Sequence, residues 1–187
     1  MPPDAATERQ HVASPTLRLV SLLSRGLRDG TLGPGEAAAL RRLDPFAPDR
    51  RHLPVLYRLL AEIEAPSGNE DVARLTLIAH ALALARGLHD SSVPPGRALA
   101  ELGVSEARFA ALLAADFAGL TDVLPRLARR LAAQSCAIDW RPLARLAWTA
   151  DRFENEAETI RRRLAADFVR VAKTAAANAT TPEDAEA

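Results

Sequence analysis

Leucine and alanine recur every three or four residues along most of the chain. Residues 52–64 show this pattern well, because Leu53, Leu56 and Ile63 fall on one face of a helix. The same spacing predicts further helices near residues 15–29, 34–42, 69–86, 97–102, 106–115, 121–132, 140–148 and 156–176. β-Branched and aromatic residues, which favour strands, are sparse. The pattern therefore predicts an all-α protein, a compact bundle of about eight helices without a sheet.

Residues that cap or interrupt helices suggest how these segments are organised. Five predicted N-caps have side chains that accept hydrogen bonds from free N–H groups: Ser14, Asn69, Ser105, Thr121 and Asp139. The loop 89–96 contains prolines and serines, and we interpret it as the best candidate for a boundary between two small lobes, residues 14–88 and 97–177. We expect a flexible N-terminus at residues 1–13 and a disordered acidic tail at residues 178–187.

Composition narrows the classes of protein that need considering. With 187 residues the chain can bury a core without covalent staples, and its single cysteine, Cys136, cannot form an intramolecular disulfide. No grouping of cysteine and histidine has zinc-ligand spacing, so we expect no metal and no cofactor. No run of about 18 apolar residues is present, which predicts a soluble, cytoplasmic protein that does not enter a membrane.

Catalytic signatures are also missing from the sequence. It contains no glycine-rich phosphate loop, no nucleophile elbow and no pair of histidines one helical turn apart. None of the four histidines has a spacing that would place it beside a nucleophile or a second ligand: His11, His52, His80 and His89. We therefore predict that the protein is not an enzyme and takes no small-molecule substrate.

The basic residues carry the most specific signal. Lysine plus arginine number 24 against 24 acidic residues, and Lys173 is the only lysine. Arginine suits bidentate contact with phosphate. Arg126, Arg129 and Arg130 share one helical face, opposite the leucines of the same segment. Further clusters occur at residues 161–163 and 41–42. An alternative interpretation is a solvated face with ion pairs, such as Arg163 with Asp167.

A second alternative comes from residues 98–105, where a glycine separates two predicted helices. This arrangement is similar to a helix-turn-helix, the motif of many DNA-binding transcriptional regulators. The second helix of that motif must present polar side chains to base edges. Here it offers Arg108 among alanines and leucines, which cannot read bases.

Three short stretches carry a resemblance to a known family. They are residues 124–131 (LPRLARRL), 138–143 (IDWRPL) and 160–168 (IRRRLAADF), and they are supported in order by residues 35–43, 55–60 and 108–113. Together they resemble the CasB small subunit of type I-E CRISPR surveillance complexes, called Cascade, over residues 17–171. The chain has Leu164 where that family usually has tryptophan, and fewer arginines in the helix after Ser105.

The resemblance implies a non-catalytic subunit that works in antiviral defence together with other Cascade subunits and a second copy of itself. It also implies contact with the guide RNA and with the displaced single strand of target DNA. The arginines predicted to face nucleic acid are Arg41, Arg42, Arg126, Arg129, Arg130, Arg161, Arg162 and Arg163. The alternatives are a DNA-binding regulator and a helical scaffold that binds only proteins.

Overall fold

The structure, a computed structural model, describes residues 5–47 and 51–179, with side chains described for residues 15–47 and 51–171. These residues form nine α-helices and no strand, apart from one isolated bridge between His89 and Ile138. The helices are α1 (Ala5–Arg28), α2 (Pro34–Leu40), α3 (Leu53–Glu62), α4 (Asn69–Leu84), α5 (Pro95–Glu101), α6 (Glu106–Ala114), α7 (Phe117–Ala133), α8 (Trp140–Thr149) and α9 (Glu154–Ala179). The prediction of an all-α fold is confirmed.

Helix α4 lies at the centre of the fold. The sequence pattern predicts an apolar stripe that includes Leu75, Ala79 and Leu82, and all three are buried. The burial extends much further, because residue 72 and all residues from 74 to 83 are shielded from solvent. A helix that is buried all round needs neighbours on every side. Helices α1, α2, α7 and α8 provide them.

A contiguous hydrophobic core joins the two halves of the chain. Leu23 on α1 and Leu77 on α4 belong to the same buried cluster as Leu131 on α7 and Leu164 on α9. The loop 89–96 is tied to the start of α8 by backbone hydrogen bonds, from Asp90 to Ile138 at 3.0 Å and from Asp139 to Val93 at 2.8 Å. The division into two lobes at this loop stays a prediction.

The backbones of helices α5 and α9 approach each other closely at Gly96. A Cβ atom at Gly96 would lie 2.2 Å from the carbonyl oxygen of Leu164. No side chain fits in that space, so glycine is required for the two helices to pack at this distance. The contact fixes the first half of α9 against the body of the fold.

Two helices begin earlier than the sequence predicts. Helix α1 starts at Ala5, before the predicted N-cap Ser14, so that Pro15 lies inside it. Residues 5–13 contain alanine, glutamate, arginine and glutamine, which are strong helix formers, and they extend the helix past the cap signal. Helix α7 starts at Phe117 and not after Thr121, because the side chain of Asp116 accepts a hydrogen bond from the Gly119 N–H at 2.7 Å.

Two other cap predictions are confirmed. Ser105 caps α6 and Asp139 caps α8, each accepting a hydrogen bond from a backbone N–H group of its helix. The prediction of Asn69 as an N-cap is wrong by one position: Gly68 is the N-cap and Asn69 is the first residue of α4. Of the predicted terminal segments, residues 1–4 and 180–187 lie outside the described residues, and residues 178 and 179 belong to α9. Within the described part of the chain, no helix is both long and apolar enough to cross a membrane.

A buried arginine connects α4 to the end of α8. The guanidinium group of Arg74 donates hydrogen bonds to the carbonyl oxygens of Ala147 and Ala150, both at 2.8 Å, and to Glu70 on its own helix. It also lies 4.5 Å from the ring centre of Phe117. The last carbonyls of a helix have no partner within that helix. Arg74 therefore satisfies the C-terminus of α8 from the centre of the fold.

Candidate nucleic-acid interface

The second half of α7 presents arginines on the side opposite its leucines, as the spacing predicts. Leu124, Leu127 and Leu131 are buried in the core, while Arg126 and Arg129 are exposed. The helix amphipathicity that puts the leucines inside thus fixes where these two side chains point.

These α7 arginines differ in their partners. Arg126 lies 3.8 Å from Asp122, and both side chains are largely exposed, which makes a weak ion pair. Arg129 has no ion pair among the described residues. Arg130 is half-buried and donates a hydrogen bond to the carbonyl oxygen of Leu102 at 2.7 Å, at the end of α5. Arg130 is therefore engaged in holding α5 against α7.

Two further exposed arginines lie at the C-terminal end of α2. Arg41 and Arg42 are exposed, and neither has an ion pair with a carboxylate in the described part of the chain. Both follow the C-terminus of α2, where the helix dipole favours a positive charge. Both α2 and α7 pack on α4. We call Arg41, Arg42, Arg126 and Arg129 the α2–α7 patch.

His80 on α4 interacts with both helices that carry the patch. Its Nδ1 atom lies 3.1 Å from the carbonyl oxygen of Leu40, the last residue of α2. Burial lowers the pKa of His80 below its usual 6.5, and the charge of Arg129 on α7 lowers it further, while the Leu40 hydrogen bond and Asp44 oppose this. One side chain of α4 thus lies within the influence of both helices that carry the patch.

The N-terminus of α7 is closed to an anionic ligand. The carboxylate of Asp116 accepts the Gly119 N–H, and the carboxylate of Asp151 accepts the Phe117 N–H at 2.8 Å. Helix N-termini attract anions through free N–H groups, and here protein carboxylates occupy them. The basic surface of α7 is consequently confined to its second half.

The predicted cluster on α9 separates into three environments. The Arg161 side chain is only 14% exposed and bonds to Glu154 at 2.8 Å and to the carbonyl of Ala115 at 3.3 Å. Arg162 is exposed but paired with Glu158 at 2.8 Å. Arg163 is exposed and forms no ion pair with any described residue.

The ion pair that the sequence suggested between Arg163 and Asp167 does not form. Asp167 instead lies 3.7 Å from Arg170. Residues four apart on a helix can pair, but they need not when another arginine on the same helix reaches the carboxylate.

An open groove of about 1090 Å³ runs between the 91–95 loop, α8 and the first half of α9. Four arginines line it, together with four carboxylates: Arg141, Arg145, Arg152 and Arg163, with Asp139, Glu154, Glu156 and Asp167. Three of these arginines have carboxylate partners, namely Arg141 with Asp139, Arg145 with Glu156, and Arg152 with Asp71. The groove is therefore neutral.

Of the four groove arginines, sequence reasoning singled out Arg163 and missed the other three, together with the pairs that neutralise them. Arg145 and Glu156 are eleven residues apart on different helices, and Arg152 and Asp71 are 81 apart. No local spacing signals such pairs, because the packing of α4, α8 and α9 creates them.

Among the described residues, no three His, Cys, Asp or Glu side chains form a group that could hold a metal ion.

The fold and this surface define an all-helical protein that exposes unpaired arginines between α2 and α7. The chain belongs to the CRISPR-associated protein Cse2 family, whose family model matches residues 36–168, well over half of its length. Cse2 is the CasB small subunit of type I-E Cascade, so the resemblance is confirmed. The family is a structural subunit of Cascade and works in a complex with other subunits. No curated protein and no solved structure matches the chain.

Proposed function

We propose that this chain is the non-catalytic Cascade small subunit that stabilises the guide RNA and the displaced DNA strand in antiviral defence. It would act beside a second copy of itself and the larger subunits. The observation that carries the proposal is the α2–α7 patch, where Arg41, Arg42 and Arg129 are exposed without carboxylate partners. An exposed guanidinium group without an internal partner can bind phosphate at no cost of breaking an existing ion pair.

Neutral net charge is compatible with this role. In RNA-guided complexes the guide reads the sequence by base pairing, so the protein needs contact only with the backbone. The other subunits hold the strand close to the small subunit, which raises its effective concentration. A few local phosphate contacts are then sufficient, and they need not bind a free strand strongly.

The environments of the eight predicted arginines suggest different contributions. Arg41, Arg42, Arg126 and Arg129 form the main surface, and Arg162 with Arg163 form a second one on α9. Arg130 and Arg161 would contribute less, because each already donates to backbone carbonyls of a neighbouring helix or loop. Their contact with nucleic acid stays a prediction for all eight.

The regulator alternative has less support from the surface. Between α5 and α6 the chain turns at Gly103, whose φ is +65°, as a glycine in a helix-turn-helix would. The exposed face of α6, however, presents Ala107, Ala110 and Ala111 with only Arg108 to contact DNA. Such a face offers base edges almost no hydrogen bonds.

The test replaces the unpaired arginines in the assembled complex. We expect the triple variant R41Q/R42Q/R129Q to retain the displaced strand less well. The dependence of log affinity on log salt should flatten by about two units, since each lost single-strand phosphate contact removes about 0.7. The matched control is R18Q/R28Q/R97Q, which removes the same charge from arginines that have carboxylates within 4.0 Å.

The comparison separates the proposal from the scaffold alternative. We call the dependence of log affinity on log salt the salt slope. The proposal is supported if the salt slope flattens in the triple variant and stays unchanged in the control variant. Equal slopes in the wild type and the triple variant would contradict it, and would favour a scaffold that binds only proteins.

A further inference from the structure

His80 is a buried polar side chain that the proposed function leaves without a role. It lies on the central helix α4 with 8% of its surface exposed, where α2 and α7 both pack. Its hydrogen bond to the carbonyl oxygen of Leu40 reaches the last residue of α2. Arg41 is the C-cap of that helix, and Arg42 follows it.

The bond has a defined direction. A carbonyl oxygen only accepts, so Nδ1 of His80 must carry the proton and donate it to Leu40. Burial keeps the pKa of His80 low, which leaves the ring neutral at pH 7. A neutral ring can hold the end of α2 without adding a charge beside Arg129.

Helix α2 needs such an anchor. It has only seven residues, and an isolated helix of that length is not stable in water. The Leu40 carbonyl accepts one bond from the Leu43 N–H at 3.3 Å, which lies within the same segment. The bond from His80 is the contact that ties this carbonyl to another helix.

We propose that His80 is a positioning residue for nucleic-acid binding: its bond to Leu40 holds the end of α2 so that Arg41 and Arg42 face the same strand as Arg129. This inference rests on the proposed function. The Leu40 carbonyl is held by α4 through this bond, while the side chains of Arg41 and Arg42 are exposed. Without the bond, the last turn of α2 can move relative to α7, and the arginines no longer act together.

The test compares two substitutions of His80 in the assembled complex. His80→Asn keeps an amide N–H donor near the position of Nδ1, whereas His80→Leu has a similar volume but no donor. We expect His80→Leu to weaken the two phosphate contacts of Arg41 and Arg42. The salt slope for displaced-strand retention should therefore flatten by about one unit. We expect His80→Asn to restore the wild-type slope.

A second histidine provides a matched control. The Nδ1 atom of His89 lies 3.2 Å from the carbonyl oxygen of Ile138 and 3.2 Å from the backbone N–H of Trp140, which donates to it, at the start of α8. His89→Leu should leave the slope unchanged. Amide hydrogen exchange at residues 41–43 should accelerate in His80→Leu and not in His80→Asn or His89→Leu, which locates the change at the end of α2.

The outcomes distinguish this inference from the proposed function. If R41Q/R42Q/R129Q flattens the slope but His80→Leu does not, the positioning role is wrong and the proposed function stands. If the triple variant has no effect, the proposed function itself is wrong. Should His80→Leu fail to fold, His80→Gln replaces it, because its amide lies near the position of Nε2 and misses Leu40. A wild-type slope for His80→Gln would equally overturn the inference.

Discussion

The α2–α7 patch and the groove beside α8 and α9 are both rich in arginine, yet their electrostatics differ. In the groove, three of the four arginines have a carboxylate partner, Arg141, Arg145 and Arg152, and only Arg163 has none among the described residues. In the patch, three of the four arginines have no ion pair with a described residue. Under the proposed function, the pairing of arginines, more than their number, determines which surface binds phosphate.

The largest effect on stability is expected at Arg74, the buried arginine that donates hydrogen bonds to the end of α8. Arg74→Met should lower the free energy of unfolding by about 2–4 kcal/mol, because two buried carbonyl oxygens at the end of α8 lose their hydrogen-bond donor. Urea unfolding followed by circular dichroism measures the change. A loss below about 1 kcal/mol would show that Arg74 does not hold α8.

The groove and the α2–α7 patch should respond differently to the loss of three arginines. R141Q/R145Q/R152Q removes as much charge as R41Q/R42Q/R129Q, but from arginines with internal partners. We expect the groove variant to lower the unfolding temperature while its salt slope for strand retention stays at the wild-type value. The patch variant should show the reverse, with a slope flatter by about two units. Flattening of both slopes to the same extent would remove the distinction between the surfaces.

A smaller effect should separate two neighbours on α9. Arg162 is paired with Glu158, whereas Arg163 has no ion pair among the described residues. Arg163→Gln should flatten the salt slope by up to about 0.7, and Arg162→Gln by less, because Glu158 already neutralises Arg162. Binding titrations at four salt concentrations resolve this difference. A larger effect for Arg162→Gln would mean that ion pairing does not predict nucleic-acid contact.

The smallest expected effect is the pH dependence of stability that comes from His80, the residue that holds the end of α2. Burial lowers the pKa of His80 in the folded protein, so the unfolded chain binds its proton more readily. Stability from the neutral ring is fully present above the unfolded pKa of about 6.5 and falls as the pH drops toward the lower folded pKa. Arg129 and Asp44 are the charged groups that influence it. His80→Asn should remove this part of the acid-side slope in urea unfolding measured between pH 5 and 7.

Much of the fold could be predicted because it depends on local chemistry. Leucine spacing gives the helices, and Ser105 and Asp139 act as the caps that their side chains favour. The predicted start of α7, after Thr121, was wrong. Asp116 caps the helix at Phe117, and Asp151, 34 residues away, accepts a hydrogen bond from the Phe117 N–H. Asp116 is a local cap, three residues before Gly119, that the sequence does contain, whereas a partner as distant as Asp151 leaves no pattern in a single sequence.

The site was predictable to the same extent. Helical periodicity placed Arg126 and Arg129 on the exposed face of α7, as the structure shows. It could not reveal that Arg130 donates to Leu102, 28 residues earlier, or that Arg161 reaches the carbonyl of Ala115, 46 residues earlier. Replacing Arg130 is therefore expected to affect the fold, although it lies off the apolar face of its helix.

The most direct test of the central claim measures the reactivity of each arginine in the target-bound complex. Arginine-directed dicarbonyl labelling, read by mass spectrometry, is compared before and after a single-strand nuclease removes the displaced strand. The account predicts that Arg41, Arg42 and Arg129 are protected in the intact complex and become reactive after digestion, while Arg18 and Arg97 do not change. Equal labelling of the patch arginines before and after digestion would contradict it.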